Sequence, residues 1–335
     1  MLENLDTYDV QDFEDLWNEL VSYRAQVETI RDQLTTILEY SPGQESGNTI
    51  TWVEIAAKSG EVSLHAAPLH VGELVQRHLF NAKESVILTS ATLRTEDKFD
   101  YMRERLGAWE LSEAAVGSPF DYESSTLLYL PTDIPEPNNQ GYQGTVEGAL
   151  LALAQATRGR MLVLFTSYSQ LKSTAKAIRE RLAEEDIVVF EQGGGGSRAQ
   201  LLDNFKTTER SVLLGTRSFW EGVDVTGEQL SCLVIARLPF AVPNDPIISA
   251  RSETYEDAFS QYSVPEAILR FRQGFGRLIR TRTDRGVVVC MDRRILSKRY
   301  GQAFIASLPQ CTNMQAPLPQ LPRAAARWID EGKVD

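Results

Sequence analysis

The chain has 335 residues, of which 42% are hydrophobic and 24% charged. Those values suit a soluble globular protein with room for two domains, and they argue against a disordered, fibrous or membrane-spanning chain. The net charge of −12 argues against loose, global attraction to nucleic acid, and Cys232, Cys290 and Cys311 stand too far apart for a disulfide framework or a zinc site.

No apolar run approaches the length of a membrane span and no signal peptide opens the sequence, so no membrane partner is expected and the cytoplasm is the expected compartment. His65, His70 and His78 have no ligand spacing either, and no metal site is expected. Charge is unevenly distributed. Residues 270–299 hold nine arginines and Lys298 against Asp284 and Asp292, whereas residues 1–20 hold seven acids and no base. A positive patch on an acidic body fits a dedicated phosphate or nucleic-acid site, and it fits equally a patch paired with the chain's own acids.

In chain order, residues 11–40 predict a long helix. Phe13, Leu16, Leu20, Tyr23, Val27, Ile30, Leu34 and Ile37 alternate spacings of three and four, a coiled-coil-like seam that needs a partner. "SPGQESGN" (41–48) is a turn, and "TITWVEIAA" with "EVSLHAA", split by "KSG", predicts a hairpin. A helix over 71–80 and a strand over 85–90 follow. From residue 145 the rhythm is regular: helix 145–157, strand 161–165, helix 169–184, strand 186–190, helix 197–206, strand 211–215, strand 232–238, helix 264–280, strand 286–291, helix 296–307, and a proline-marked loop with a short closing helix. Strands apolar on both faces that mostly alternate with helices imply an α/β fold, a doubly wound parallel sheet. In such sheets ligands gather beyond the carboxyl ends of the strands.

Three segments bear on chemistry. In "GTRSFWEGVDVTGE" (215–228), Thr216, Arg217 and Ser218 offer donors to phosphate oxygens at a strand end. Phe219 and Trp220 suit either base stacking or plugging the core, and Glu221 and Asp224 suit holding an arginine or water. "LTSATL" (88–93) places hydroxyls around Ala91, suited to coupling two sites by hydrogen bonds or simply to capping a helix. In "RFRQGFGRLIRT" (270–281), a helical period puts Gln273, Arg277 and Arg280 on one face and Ile268, Phe271, Phe275 and Leu278 on the other. Arginine forks match phosphate geometry. Gly274 and Gly276 each cost a helix about 1 kcal/mol, and close approach of a ligand or another chain is one reason to keep them.

Several look-alikes fail. "FEQGGGGSRAQ" (190–200) is not a Walker A loop, since G-x-x-x-x-G-K-[ST] occurs nowhere in the chain. "GVVVCMD" (286–292) imitates a Walker B strand, but Arg293 and Arg294 beside Asp292 favour a salt bridge over a magnesium ligand. "GFG" (274–276) lacks the third glycine of a dinucleotide fingerprint.

Taken together and in order, the segments resemble the carboxy-terminal half of DinG/XPD-type superfamily 2 DNA helicases over roughly residues 50–325. "LTSATL" resembles motif III and "GSPFDY" (117–122) the stretch after it. "LVLFTSYSQL" resembles motif IV, "GTRSFWEGVDVTGE" with "RLPFAVPNDP" motif V, and "QGFGRLIR" motif VI, whose Q-x-x-G-R-x-x-R is met by Gln273, Gly276, Arg277 and Arg280. The family's Walker A lysine, its DEAH-type motif II and the cysteines of its iron–sulfur cluster have no counterpart here.

The resemblance implies a RecA-like fold divided into an arch-helix remnant (1–48), the end of the first motor domain with motif III (49–110) and a second motor domain (111–335). The chain is then expected to be a fragment or separate subunit that begins inside the arch. ATP and Mg are expected to be held mainly by the other motor half, and an iron–sulfur cluster only upstream. Further implied are arginine fingers at Arg277 and Arg280, a nucleotide-side hydrogen bond from Gln273, and nucleotide-bordering positions at Glu221, Gly222, Asp224 and Gly276. Ser90, Ala91 and Thr92 take the coupling role. Single-stranded DNA is expected against Thr166, Ser167, Thr216, Ser218, Phe219 and Trp220. The expected partners are that DNA and the amino-terminal motor half. A non-catalytic nucleic-acid-binding module on the same fold is the rival reading.

Overall fold

The computed structural model describes residues 14–38, 48–56, 59–95, 98–220, 222, 225, 227–242 and 244–332. Contacts divide the chain into two compact units, one within residues 1–71 and 243–254 and the other within 72–242 and 255–335. Residues 72–110 therefore cluster with the large unit, a division that crosses the expected boundaries at 48 and 110.

The smaller unit contains the helix Glu14–Leu38 and an antiparallel hairpin, β1 (Thr49–Ile55) and β2 (Val62–Pro68), registered from Thr49 opposite Pro68 to Ile55 opposite Val62. Trp52 stacks on its cross-strand partner His65 with ring centroids 4.9 Å apart, a pairing that stabilises neighbouring strands. The helix Pro246–Ser252 starts at an Asp245 cap, and its Arg251 Nε donates to the Leu69 carbonyl at 2.7 Å. Along the long helix, Leu16, Leu20, Tyr23, Val27, Ile30 and Leu34 are 38–65% exposed, so the seam read from spacing faces outward; Phe13 lies outside the described residues.

In the larger unit, seven parallel strands form one sheet: β3 (Thr126–Pro131), β4 (Met161–Leu164), β5 (Val188–Glu191), β6 (Ser211–Gly215), β7 (Cys232–Ile235), β8 (Gly286–Cys290) and β9 (Thr312–Ala316), ordered β5-β6-β4-β7-β8-β3-β9. Alternate residues feed two cores. Leu127, Met161, Val163, Val234 and Val289 face the helices Tyr142–Ala156, Tyr168–Ala183 and Leu321–Glu331. Leu128, Leu162, Leu164, Leu233 and Val288 face Arg198–Thr207 and Val264–Phe275. Both faces of a parallel sheet are covered by its crossover helices, which explains why its strands read as continuous apolar runs. Burial pushes the thiols of Cys232 and Cys290 upward, so both behave as small core hydrophobes.

The structure corrects four sequence expectations. Residues 85–90 form no strand: Ile87 is 87% exposed, and no strand among the described residues pairs with this segment. The helix over 264–280 ends at Phe275; Gly276 caps it by donating to the carbonyls of Arg272 and Gly274, and the chain then turns to bury both Leu278 and Ile279. The helix over 296–307 is two short ones, Arg294–Ser297 and Gly301–Ala306. Strands β3 and β9 were not foreseen: β3 is cut short by Pro131, and β9, an edge strand, alternates exposed polar residues.

Candidate phosphate-binding site

The turn after Phe275 shapes the site. Gln273 is in the last turn of the helix, Arg277 lies in the turn beyond it, and Arg280 lies in the extended run that follows. The three were expected on one helical face. They converge without one, lining a cavity of about 410 Å³ together with Arg272 and Gly276. Ser90, Ala91 and Thr92 line the same cavity, so the two motif segments meet although 181 residues separate Ala91 from Arg272. Among the described residues, Tyr122, Phe275 and Pro309 also line it.

Each polar group is oriented by the backbone around it. Arg277 Nε donates to the Trp220 carbonyl at 2.9 Å. The Arg280 peptide N–H donates to Asp284 Oδ2 at 2.8 Å, as does that of Thr281, while the Thr281 hydroxyl donates to Oδ1 at 2.6 Å. Burial opposes ionisation of Asp284, but the Thr281 hydroxyl and these amides outweigh it and hold the carboxyl below its ordinary range. Asp284 is thus engaged by two main-chain amides and the Thr281 hydroxyl. Gln273 lines the cavity, and its Oε1 is buried with no hydrogen-bond partner among the described residues. Ser90 Oγ accepts from the Thr92 amide at 3.2 Å, which shapes the Ser90–Thr92 turn. Burial pushes the Tyr122 phenol upward, against the opposing influence of Ser118 and Arg280. Guanidiniums, an amide and hydroxyls together make a wall suited to phosphoryl oxygens.

The two glycines differ. A Cβ on Gly274 would lie 2.8 Å from Trp220 Cε3, so this glycine exists for the indole and not for a ligand, which corrects the close-approach reading. At Gly276 the nearest atom would be the Arg272 carbonyl at 3.4 Å, and Gly276 does line the cavity.

At the carboxyl ends of adjacent strands β4 and β6 lie Thr166 with Ser167 and Thr216 with Ser218. Ser167 caps the next helix through the Gln170 amide and pairs with Ser169 at 2.8 Å. Thr216 donates both its N–H and its hydroxyl to Gln192 Oε1, each at 2.8 Å. Ser218 is exposed. Phe219 and Trp220 are 0% and 4% exposed, so they plug the core and offer no face to a base; Trp220 Nε1 donates to the Phe165 carbonyl at 3.3 Å. Gly222, with φ +64°, sits against the Arg198 guanidinium and not in the cavity lining. Glu221 and Asp224 lie outside the described residues.

Asp292 meets the salt-bridge expectation. Fully buried, it takes Arg294 Nε and Nη2 (2.6 Å to Oδ2) and the amide of Leu238 at 2.9 Å. No group of His, Cys, Asp and Glu suited to a metal occurs among the described residues, and none of their helices is long and apolar enough to cross a membrane. Sequence reasoning passed over Gln192, Arg272 and Tyr122. Gln192 stands at a strand end before a glycine run and Arg272 beside the motif glutamine, which was the available signal.

Residues 150–311 match the helicase C-terminal domain family. The 3′-5′ exonuclease DinG of Bacillus subtilis is 34% identical over 86% of this chain and 32% of its own length. The ATP-dependent DNA helicase YoaA of Haemophilus influenzae is 38% identical over 74% and 39%, and the ATP-dependent helicase DinG of Mycobacterium tuberculosis 35% over 89% and 47%. The chain thus spans a third to a half of the length of these curated relatives. A solved XPD helicase shares the fold at TM-score 0.57 and 17% identity, covering 76% of this chain and 47% of that one; an apo XPD structure gives the same TM-score over 94% and 61%. Ordered motifs, a RecA-like parallel sheet and these matches agree: residues 150–311 form a helicase C-terminal domain, in a chain similar to the DinG and YoaA helicases and sharing the fold of XPD.

Proposed function

We propose that this chain is the second motor portion of an ATP-dependent DNA helicase and that it supplies the arginine side of a nucleotide site whose P-loop belongs to another polypeptide segment. The observation that carries this reading is the convergence of Gln273, Arg277 and Arg280 with the Ser90–Thr92 turn in one cavity. Arg277 and Arg280 stabilise charge developing on the transferred γ-phosphoryl, and Gln273 hydrogen-bonds beside the nucleotide. ATP and Mg are held mainly by the other motor half, since the chain has no Walker A sequence, and the chain alone does not hydrolyse ATP. Any iron–sulfur cluster belongs to that half as well. In domain terms, residues 49–110 end the first motor domain and 111–335 form the second. Single-stranded DNA runs across the carboxyl ends of β4 and β6, and the protein works in the cytoplasm.

Combining this chain with a polypeptide carrying a DinG-type first motor half and measuring DNA-stimulated ATP hydrolysis tests the assignment. Arg277→Ala is expected to lower the rate by about 10³-fold or more, the scale of an arginine finger; a rate within about twofold of the unsubstituted protein refutes it. Tight, steeply salt-dependent DNA binding by the isolated chain, with no effect of the other half, favours instead a non-catalytic binding module built on the basic run 270–299.

A further inference from the structure

Arg272 is oriented differently from its neighbours in the motif. Its guanidinium donates through Nη1 to the Arg94 carbonyl and through Nη2 to the Ala91 carbonyl, the latter at 3.4 Å. Both acceptors are main-chain atoms of the turn that carries Ser90, Ala91 and Thr92. The donor belongs to the last turn of the helix Val264–Phe275, adjacent to Gln273 and five residues before Arg277. A fork of rigid, always-charged donors spanning two carbonyls of one turn fixes that turn's position and its rotation, which a single hydrogen bond does not.

Within the turn, Ser90 Oγ and the Thr92 hydroxyl pair at 3.3 Å and the Thr92 amide donates to Ser90 Oγ at 3.2 Å, bonds that shape the turn locally. The segment 85–90 before it has no strand to hold it. Arg272 ties this turn to the arginine wall over 178 and 181 residues of sequence.

We propose that Arg272 is a positioning residue, a main-chain clamp that locks the Ser90–Thr92 turn to the arginine-bearing end of the helix so that an anion in the cavity is registered by both. This deepens the phosphate reading of the cavity and rests on it for the ligand, but not for the clamp. The arrangement makes the turn and residues 273–280 one mechanical unit within the larger compact body. Occupancy of the cavity by phosphoryl groups then restrains the turn through Arg272, and Arg272→Ala severs the link while leaving the hydroxyls, Arg277 and Arg280 in place.

The experiment is hydrogen–deuterium exchange by mass spectrometry on the full chain, with and without inorganic tripolyphosphate. Without ligand, Arg272→Ala is expected to raise exchange at residues 90–95 about tenfold or more while β3, β4 and β8 keep their rates; Arg272→Lys, with one point charge in place of a fork, recovers part of the protection. Unchanged exchange at 90–95 overturns the clamp, and accelerated exchange throughout the sheet overturns it too by showing general destabilisation. With tripolyphosphate, protection is expected at both 90–95 and 273–280 in the unsubstituted chain, and in Arg272→Ala the 90–95 share is expected to fall at least threefold relative to the 273–280 share. Equal loss at both segments contradicts the link. If tripolyphosphate protects neither segment in the unsubstituted chain, the phosphate reading fails, and the ligand-free rates alone decide the clamp.

Discussion

Arg277 Nε donates to the carbonyl of Trp220 at 2.9 Å, tying the segment that resembles motif VI to the one that resembles motif V. One edge of the guanidinium is thereby fixed by main chain, while the residue lines the cavity. A preorganised arginine gives up less freedom per hydrogen bond on meeting an anion than a flexible lysine. Arg277→Lys is therefore expected to weaken tripolyphosphate binding about tenfold although charge is conserved, and Arg277→Ala at least as much. Isothermal titration at fixed ionic strength measures both; equal affinity for the lysine variant and the parent removes the role assigned to the fork.

Trp220 also governs Gly274. An alanine there places Cβ 2.8 Å from Cε3, 3.0 Å from Cζ3 and 3.2 Å from Leu164 Cδ1. All three belong to buried side chains with little room to yield. Gly274→Ala is expected to cost about 1–3 kcal/mol through overpacking, despite its better helix propensity. Gly276→Ala, with 3.4 Å to its nearest neighbour and φ −66°, is expected to change stability by less than about 1 kcal/mol. Urea unfolding of the two variants side by side decides, and equal losses contradict the packing account.

Asp292 makes the strongest electrostatic prediction for the fold. Its carboxylate is fully buried, bidentate to Arg294 and bonded to the amide of Leu238, where β7 exits. Removing one partner of such a pair leaves a buried charge without its counter-ion. Asp292→Ala is expected to lose about 3–5 kcal/mol in chemical denaturation. A loss below about 1 kcal/mol would mean that Arg294, whose side chain is 25% exposed, is satisfied by solvent once Asp292 is gone, and would remove the weight given to the pair.

Asp284 gives the pH dependence. Its folded-state pKa lies below the ordinary carboxylate value, so folding favours the ionised form. The stabilisation is complete above the unfolded value of about 3.9 and is lost as pH falls through the lower folded value. Asp284→Asn is expected to cost roughly 1–2 kcal/mol at pH 7, from hydrogen bonds to a charged acceptor. The gap to the parent should narrow steadily below about pH 4. Thermal unfolding from pH 7 to pH 3 reads this directly, and a gap that widens on acidification reverses the sign and refutes the assignment.

What the sequence disclosed followed from local patterns. Apolar strands such as 211–215 are buried on both faces wherever they pair, so their character is local and readable. The order of the motif-like segments needs no geometry at all. What stayed hidden is set by distant partners. Residues 85–90 look like a strand, yet a strand exists only beside another. Gly274 is explained by an indole 54 positions away in sequence, and Gln192 by Thr216 across two parallel strands. The helix end at Phe275 turns on Gly276 and on the core's demand for both Leu278 and Ile279, a demand that helical periodicity alone does not contain. Even so, Gln273, Arg277 and Arg280 meet in one cavity by a turn instead of a helical face.

Thr216 shows how that difference changes a functional expectation. Read from sequence, it is a donor to the DNA backbone. In the structure its N–H and its hydroxyl proton both go to Gln192 Oε1, leaving only hydroxyl lone pairs, which a phosphate repels. Donors at this strand end are then the exposed Ser218 hydroxyl and the Gln192 carboxamide N–H₂. Thr216→Val is accordingly expected to lower stability by roughly 1 kcal/mol, the worth of a lost hydrogen bond. Its effect on the affinity of labelled single-stranded DNA in anisotropy titrations should stay within about threefold, because no phosphate donor has been removed. Gln192→Ala should weaken binding more, about fivefold, since the deleted carboxamide donor outweighs the Thr216 donors it frees, at a cost of about 1 kcal/mol in stability. A tenfold loss for Thr216→Val with Gln192→Ala near neutral would mean that the hydroxyl turns toward DNA when DNA is present.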